Sequence, residues 1–344
     1  MSNTLRIAIN GYGRIGRCVL RALHERNLQQ RIQVVAINEP SDLAAMAYLT
    51  EFDSTHGAFG KPVTVADDQL IIDGEAIQVF HETKPDAVAW DDLKLDLLLE
   101  CSGTFSKRHQ LQRFIDAGCP RLLLSHPGIS AEAVDNTIVA GINQDSLRKD
   151  QTLVSAASCT TNAIVPVLHL LHRQFGIEHA FLTTLHSVMN DQPLIDGYHH
   201  RDLRRTRSAM QSMVPVSTGL ATGVERLLPE LQGRVQAKAI RVPIVNVSAI
   251  DLCVNFSQVV KQTDLLDFLD KAVHEMPELI SYTRQHHASI DFNHNPHSAI
   301  IDSTQITTND RGFANLLVWF DNEWGFAHRM LDVACAWAQI FNDH

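Results

Sequence analysis

Leu5-Arg6-Ile7-Ala8-Ile9-Asn10-Gly11-Tyr12-Gly13-Arg14-Ile15-Gly16 is the stretch that decides the fold. Leu5, Ile7 and Ile9 alternate with Arg6, Ala8 and Asn10, the period-two pattern of a short strand. Ile15, Val19, Ala22 and Leu23 then recur at helical spacing through Arg26. A second apolar run, Ile32 to Ile37, closes a unit of about thirty residues, the size of a βαβ motif. Glu39 follows just past its end. Glycines at 11, 13 and 16 between a strand and a helix therefore sit in the context that gives the G-x-G-x-x-G pattern its meaning. Gly11 permits the tight turn, Gly13 lets the backbone approach a pyrophosphate, and Gly16 lets helix and strand pack closely. A carboxylate at Glu39 accepts hydrogen bonds from ribose hydroxyls and repels a 2′-phosphate, which favours NAD over NADP. The alternative is an ordinary βα turn with an exposed Glu39.

The chain has 344 residues, enough for two domains. Its formal net charge of −10 disfavours nucleic acid as a partner. No basic segment followed by a long apolar run opens the sequence, and no stretch approaches the roughly 18 apolar residues of a membrane helix. Cys18, Cys101, Cys119, Cys159, Cys253 and Cys335 are scattered without CxxC spacing. They read as reduced thiols, so a cytoplasmic location is expected.

Further apolar runs at Leu95–Leu99, Leu122–Leu124, Ile138–Ala140 and Leu153–Val154 lack alternation, as parallel strands buried on both faces do. Cys101-Ser102-Gly103 and Ser125-His126-Pro127-Gly128 follow two of them. In an open α/β sheet, ligands bind beyond the carboxyl ends of the strands, so both segments are candidates to line a nicotinamide site. Plain turn chemistry is the alternative. The first half thus reads as an α/β Rossmann-type NAD-binding domain. The second half has strands at Ala180–His186, Ala237–Val242, Val245–Phe256 and Leu316–Phe320, and helices at Asp264–Met276 and Glu323–Phe341. Few helices separate these strands, which predicts an α+β domain with a largely antiparallel sheet and helices on one face. Residues 190–215 lack periodicity and carry Arg201, Arg204, Arg205 and Arg207, which points to a functional loop or an interface.

Ser158-Cys159-Thr160-Thr161-Asn162 stands between the apolar Leu153-Val154 and the apolar run Ala163–Leu171. Cys159 is therefore expected where a strand ends and a helix begins. Free N–H groups and the helix dipole at such a place lower a thiol pKa and supply oxyanion or phosphate donors. A small buried cysteine is the alternative. Pro166 is expected to kink the following helix or limit its first segment. Among 18 histidines, His186 at a strand end is the preferred base for the thiol, through a thiolate–imidazolium pair. A dinucleotide fold with an activated cysteine suggests aldehyde oxidation: the thiolate adds to the aldehyde, hydride leaves to NAD, and an acyl-thioester is released by water or phosphate. Arginines near the cysteine would hold an anionic group. His286, His287, His294 and His297 match no common zinc spacing, so no metal is expected.

Ile9 to Arg17, the Ser158–Asn162 block, Thr183-Thr184-Leu185-His186-Ser187, Arg241-Val242-Pro243 and Trp319-Phe320-Asp321-Asn322-Glu323-Trp324-Gly325 together resemble the glyceraldehyde-3-phosphate dehydrogenase family from end to end. The resemblance implies Cys159 as nucleophile and His186 as base. It implies NAD contacts at Gly11, Gly13, Arg14, Ile15, Gly16, Glu39, Thr83, Ser125 and Asn322, the last holding the nicotinamide carboxamide. Ser158, Thr160, Arg205, Thr218, Gly219 and Arg241 match substrate or phosphate contacts. The implied domains are 1–158 completed by 322–344 for NAD, and 159–321 for catalysis. The family's homotetramer, with an S-shaped loop at an interface, would account for 190–215. Met189 stands where the main family has a phosphate-binding threonine, and a thioether donates no hydrogen bond. Ser125–Gly128 and Asp291–Ile300 also differ from glycolytic members. All three features resemble the branch that oxidises D-erythrose 4-phosphate to 4-phosphoerythronate, toward pyridoxal 5′-phosphate, and releases its thioester to water. Thr83 departs from the arginine usual in that branch, which leaves its backbone as the NAD contact. A phosphorylating glyceraldehyde-3-phosphate dehydrogenase is the alternative function. A non-catalytic NAD-binding module is the alternative of another class. The expected small-molecule partner is a phosphosugar aldehyde.

Overall fold

The computed structural model describes residues 4–199 and 202–342. The chain divides into two compact units, Met1–Ser158 with Phe326–His344, and Cys159–Gly325. The return to the first unit thus comes at Phe326 rather than at Asn322. No helix among the described residues is long and apolar enough to cross a membrane.

The first unit opens with β1 (Leu5–Asn10), α1 (Arg14–Glu25) and β2 (Ile32–Asn38), the expected βαβ motif. Helix α2 (Leu43–Glu51) and a short ribbon, β3 (Phe52–Asp53) with β4 (Gly57–Ala58), follow. Strands β5 (Val63–Ala66), β6 (Gln69–Ile72) and β7 (Glu75–Phe80) form an antiparallel ribbon whose last strand joins β2 in parallel. Next come β8 (Leu97–Glu100), α3 (Arg108–Asp116), β9 (Leu122–Leu124), β10 (Asn136–Thr137) and β11 (Leu153–Ser155). The nine-stranded sheet has the order β10-β11-β9-β8-β1-β2-β7-β6-β5. Every residue of β8, β9 and β11 is buried, as strands covered on both faces require. Ile138–Ala140 is buried but lies outside the strand. The Asn143 amide accepts from the Val139 N–H and donates to the Thr137 carbonyl, both at 2.8 Å, and so turns the chain there.

The second unit starts with α4 (Cys159–Phe175), which continues through Pro166 as one helix rather than stopping short of it. Strands β12 (Ile177–His186) and β13 (Val214–Val216), helix α5 (Leu220–Leu227), strands β14 (Val235–Arg241) and β15 (Ser248–Phe256), and helix α6 (Gln262–Ala272) follow. Strands β16 (Ile280–Thr283), β17 (Ala299–Thr308) and β18 (Phe313–Phe320) complete a seven-stranded sheet of order β13-β14-β12-β15-β18-β17-β16. It is largely antiparallel, with parallel pairs only at β12–β14 and β16–β17. Helix α4 packs against β12, β15, β17 and β18. The last helix, α7 (Trp324–Asn342), begins in this unit and runs on into the first.

The sheet order places functional positions together. Strand β12 lies inside the sheet between β14 and β15, and His186 at its carboxyl end is in register with Arg241 at the carboxyl end of β14. Strand β15 runs antiparallel to β12 and β18, so its first residue, Ser248, lies at the same end. Asn322 follows β18 by two residues. One end of the sheet therefore collects His186, Arg241, Ser248 and Asn322.

Candidate active site

Cys159 is the first residue of α4 and is partly buried. Its Sγ lies 3.7 Å from Nε2 of His186 and 3.8 Å from Oγ1 of Thr160. His186 is buried, and its Nδ1 is 2.9 Å from the Ser187 carbonyl. Nη1 of Arg241 is 3.2 Å from that same carbonyl and 2.9 Å from Nδ1. Nδ1 thus sits between a carbonyl acceptor and a guanidinium donor, which ask opposite roles of it. The Nδ1–H tautomer, donating to the Ser187 oxygen, is the one that leaves the Nε2 lone pair facing the thiol.

Burial, reinforced by the adjacent Arg241 charge, lowers the His186 pKa to about 4. Burial also pushes the Cys159 thiol up, against the opposing pulls of the Thr160 hydroxyl and the Arg241 charge. Both shifts favour a neutral thiol beside a neutral imidazole and oppose the thiolate–imidazolium pair expected from the sequence. A helix start does lie at the sulfur, but desolvation of the charged forms outweighs it. Such a pair acts by general-base catalysis: Nε2 takes the thiol proton as sulfur attacks a carbonyl carbon.

The remaining second-unit candidates are Thr160, Arg205, Thr218, Gly219 and Asn322. Thr218 and Gly219 precede α5, where the Thr218 hydroxyl accepts from the Leu220 N–H at 3.2 Å. Helices α4 and α5 pack together. Arg205 Nη1 donates to Asp191 Oδ2 at 2.7 Å. Asn322 is buried, and its Oδ1 accepts from the Ser187 and Ser248 hydroxyls at 3.0 and 2.8 Å. The Ser248 hydroxyl also accepts from the Ser187 N–H at 3.1 Å. Ser187, Ser248 and Asp191 were not picked out from the sequence, because serine and aspartate carry no spacing signal of their own. Next to Asn322, buried Asp321 accepts from the Glu323, Trp324 and His294 N–H groups and from the Asn246 amide. His294 stacks on Trp324, and His297 contacts Asn295 and the Pro277 carbonyl, so these histidines brace the segment around Asn322.

The first unit holds the glycine loop. A Cβ on Gly11, which has φ +88, would lie 2.4 Å from the Ser102 backbone. One on Gly16 would lie 2.3 Å from the Gly11 carbonyl oxygen. One on Gly13 would meet nothing within 4 Å. The first and third glycines are therefore fixed by packing, while the second leaves open space before the uncapped start of α1. That start has no acidic residue in its first turn, so its N–H groups at Arg14 and Ile15 suit a pyrophosphate. The Arg14 side chain is committed elsewhere, in a forked ion pair with Asp53, which holds that carboxyl well below its ordinary range. Glu39 lies at the end of β2. Its carboxylate accepts from the Tyr12 N–H at 2.8 Å and from Ser41, and so ties the loop down while facing it. Thr83 is exposed after β7; its neighbour Glu82 is held through the Asn38 amide. Ser125 follows β9, with its N–H on the Glu100 carbonyl at 3.0 Å. Ser158 is the last residue of this unit.

Residues 5–108 match the NAD binding domain of glyceraldehyde 3-phosphate dehydrogenase. Residues 158–322 match the C-terminal domain of the same enzyme. The chain belongs to the glyceraldehyde 3-phosphate dehydrogenase family. It is accordingly an NAD-dependent dehydrogenase with a small phosphosugar aldehyde as its class of substrate. The open cradle at Gly13 and the bare start of α1 fit the cofactor's pyrophosphate, and the acidic Glu39 fits its ribose. NAD, when bound, supplies the hydride acceptor.

Proposed function

We propose that this member of the family oxidises D-erythrose 4-phosphate to 4-phosphoerythronate, a step toward pyridoxal 5′-phosphate, and releases its product to water. The 3.7 Å approach of Cys159 Sγ to His186 Nε2 is the observation that carries the chemistry. Sulfur adds to the aldehyde carbon as Nε2 takes its proton. The thiohemiacetal then gives up its hydride and becomes a thioester on Cys159. Arg241 and the start of α5 at Thr218-Gly219 supply donors for the substrate's anionic groups, with Thr160 and Ser158 beside the sulfur in sequence. Asn322, whose amide oxygen is engaged by two serines, keeps its nitrogen as a donor for the nicotinamide carboxamide. In this reading the first unit binds NAD, the second carries out catalysis, and the chain forms a homotetramer with residues 190–215 at an interface.

The four-carbon substrate is supported by Met189, which is 46% exposed in the loop after His186. It removes a hydroxyl donor from the phosphate site and leaves a flexible apolar surface. A phosphorylating glyceraldehyde-3-phosphate dehydrogenase is the competing reading, favoured by Arg205 and Arg241 together. Steady-state NADH formation from each sugar, with and without inorganic phosphate, separates the two. Preference for the four-carbon sugar without phosphate dependence is expected. Phosphate-dependent preference for the three-carbon sugar would overturn the proposal.

A further inference from the structure

Asp321 is a fully buried carboxylate where β18 gives way to α7. Its Oδ1 accepts from the N–H groups of Glu323 and Trp324 at 2.9 and 2.7 Å. Bonds to the N–H groups two and three residues on are those of a helix N-cap, so Asn322 is the first residue inside the cap and Asp321 sets its backbone. The negative charge also meets the positive end of the helix dipole. Oδ2 of the same carboxylate accepts from the His294 N–H and from the Asn246 amide, both at 2.8 Å.

These last two bonds tie three segments together. Asn246 stands two residues before Ser248, whose hydroxyl donates to Asn322 Oδ1 at 2.8 Å. Between them Val247 is fully buried at φ +65. A β-branched residue keeps that conformation only where its surroundings impose it. Here its two neighbours impose it, Asn246 held on Asp321 and Ser248 on Asn322, together with packing against Phe292, Ile300 and Trp319. The Asn246 amide also donates to Asn293 Oδ1 at 2.8 Å. Phe292, Asn293 and His294 thus act as an abutment, and they belong to the segment that sets this sequence apart from glycolytic members. One carboxylate therefore fixes the backbone of Asn322 and, through Asn246, the turn that carries a donor to its side chain.

We propose that Asp321 is a positioning residue for cofactor binding: linked to Asn246 and His294, it aims Asn322 at the nicotinamide carboxamide. This rests on the carboxamide reading of Asn322 proposed above and names the residue that enforces it. Its effect falls on NAD rather than on the phosphosugar, whose proposed donors lie at the end of β14 and before α5.

The test titrates the full-length enzyme with NAD by intrinsic fluorescence, which needs no substrate, and measures initial rates with D-erythrose 4-phosphate. Asp321→Ser keeps a capping hydroxyl but cannot supply the second oxygen; its Kd for NAD is expected to rise about tenfold, the scale of a hydrogen bond to a charged group. Asn246→Ala cuts the same link from the other side. It also removes an amide oxygen that is buried without a partner, so it is the variant expected to fold well. Its Kd for NAD is expected to rise about threefold or more. KM for the sugar should stay within about twofold of wild type in both, a split that a general loss of folded enzyme would not produce. The double variant should bind NAD no more than about twofold more weakly than Asp321→Ser, because both changes cut one bond. Unchanged NAD affinity in Asn246→Ala, or full additivity in the double variant, overturns the inference. Asn322→Ala, titrated alongside, separates it from the reading beneath it. If Asn322→Ala weakens NAD binding and Asn246→Ala does not, the role of Asp321 fails alone. If Asn322→Ala binds NAD as wild type does, the carboxamide reading fails and this inference with it.

Discussion

Nη1 of Arg241 lies 2.9 Å from Nδ1 of His186, on the neighbouring strand and in register with it. One positive charge thus acts on both members of the reacting pair, and in the same direction. It lowers the pKa of the imidazole and also that of the thiol. The base stays neutral to low pH while the developing thiolate is stabilised.

Replacing that charge should therefore move the pH profile. In Arg241→Gln the His186 pKa rises from about 4 toward the ordinary imidazole value of 6.5. The acid limb of kcat/KM should shift upward with it, and KM for the phosphosugar should rise. Buried His186 also carries a stability signature. Its pKa is depressed in the fold, so its contribution is full above 6.5 and is lost as pH falls toward 4. An acid limb that stays in place in Arg241→Gln would show that burial alone sets the imidazole.

Ser248 links the base to Asn322, the proposed carboxamide contact. Its hydroxyl donates to Asn322 Oδ1 and accepts from the N–H of Ser187, whose carbonyl holds His186. Ser248→Ala leaves a buried N–H unpaired, a cost of about 1–3 kcal/mol, and leaves Asn322 Oδ1 held by the Ser187 hydroxyl alone. KM for NAD is expected to rise about tenfold, the equivalent of 1.4 kcal/mol, with kcat also reduced. Ser248→Thr keeps the hydroxyl and should recover most of the loss. Initial-rate kinetics over NAD concentration check this; equal defects in both variants would place the effect in packing instead.

Much of this was legible in the sequence, for reasons that differ by element. The βαβ motif carries its glycines, periodicity and acid within one short segment, so local pattern suffices. Cys159 at a helix start and His186 at a strand end were likewise readable from flanking apolar runs. The ribbon β5–β7 was missed, although Asp73-Gly74 is a hairpin-turn pair. Pro166 does not limit the first segment of α4, because the helix is buried on all sides from Thr161 to Leu168 and tertiary packing outweighs local preference. The burial that opposes an ion pair at Cys159 and His186 was hidden for a similar reason. Helix dipole and imidazole are visible in sequence, whereas the burial that opposes them comes from strands brought together by sheet order. The two serines on Asn322 depend on the same long-range assembly.

Glu39 has two tasks that one substitution can separate. Its carboxylate holds the glycine loop through the Tyr12 N–H and, in the proposed cofactor contact, also presents negative charge toward the ribose. Glu39→Gln retains an acceptor but loses the charge. NAD affinity should fall by roughly tenfold, the scale of a charge-assisted hydrogen bond, while discrimination against NADP narrows. Titration of both dinucleotides by tryptophan fluorescence provides the measurement. Unchanged discrimination would mean that the repulsion of a 2′-phosphate comes from another group.

Glu100 offers a pH-dependent prediction in the first unit. This buried carboxyl, at the end of β8, receives hydrogen bonds from the Asn10 amide and from the Ser102 N–H and hydroxyl. These donors favour the ionised form, but burial outweighs them and raises the pKa from 4.5 to about 7. A raised carboxyl contributes its stability fully below 4.5 and loses it as pH rises through 7. Glu100→Gln removes that titration. The unfolding free energy of wild type relative to the variant should fall across this window by at most about 3 kcal/mol, at 1.36 kcal/mol per unit. Asn10 also binds Asn38, and the Asn38 carbonyl accepts from the Gly11 N–H, so ionisation of Glu100 is felt at the glycine loop. NAD affinity should therefore vary with pH near 7 in wild type and flatten in Glu100→Gln. Denaturant titrations and NAD binding from pH 5 to 8 test both; a difference constant with pH would mean that Glu100 stays in one protonation state throughout.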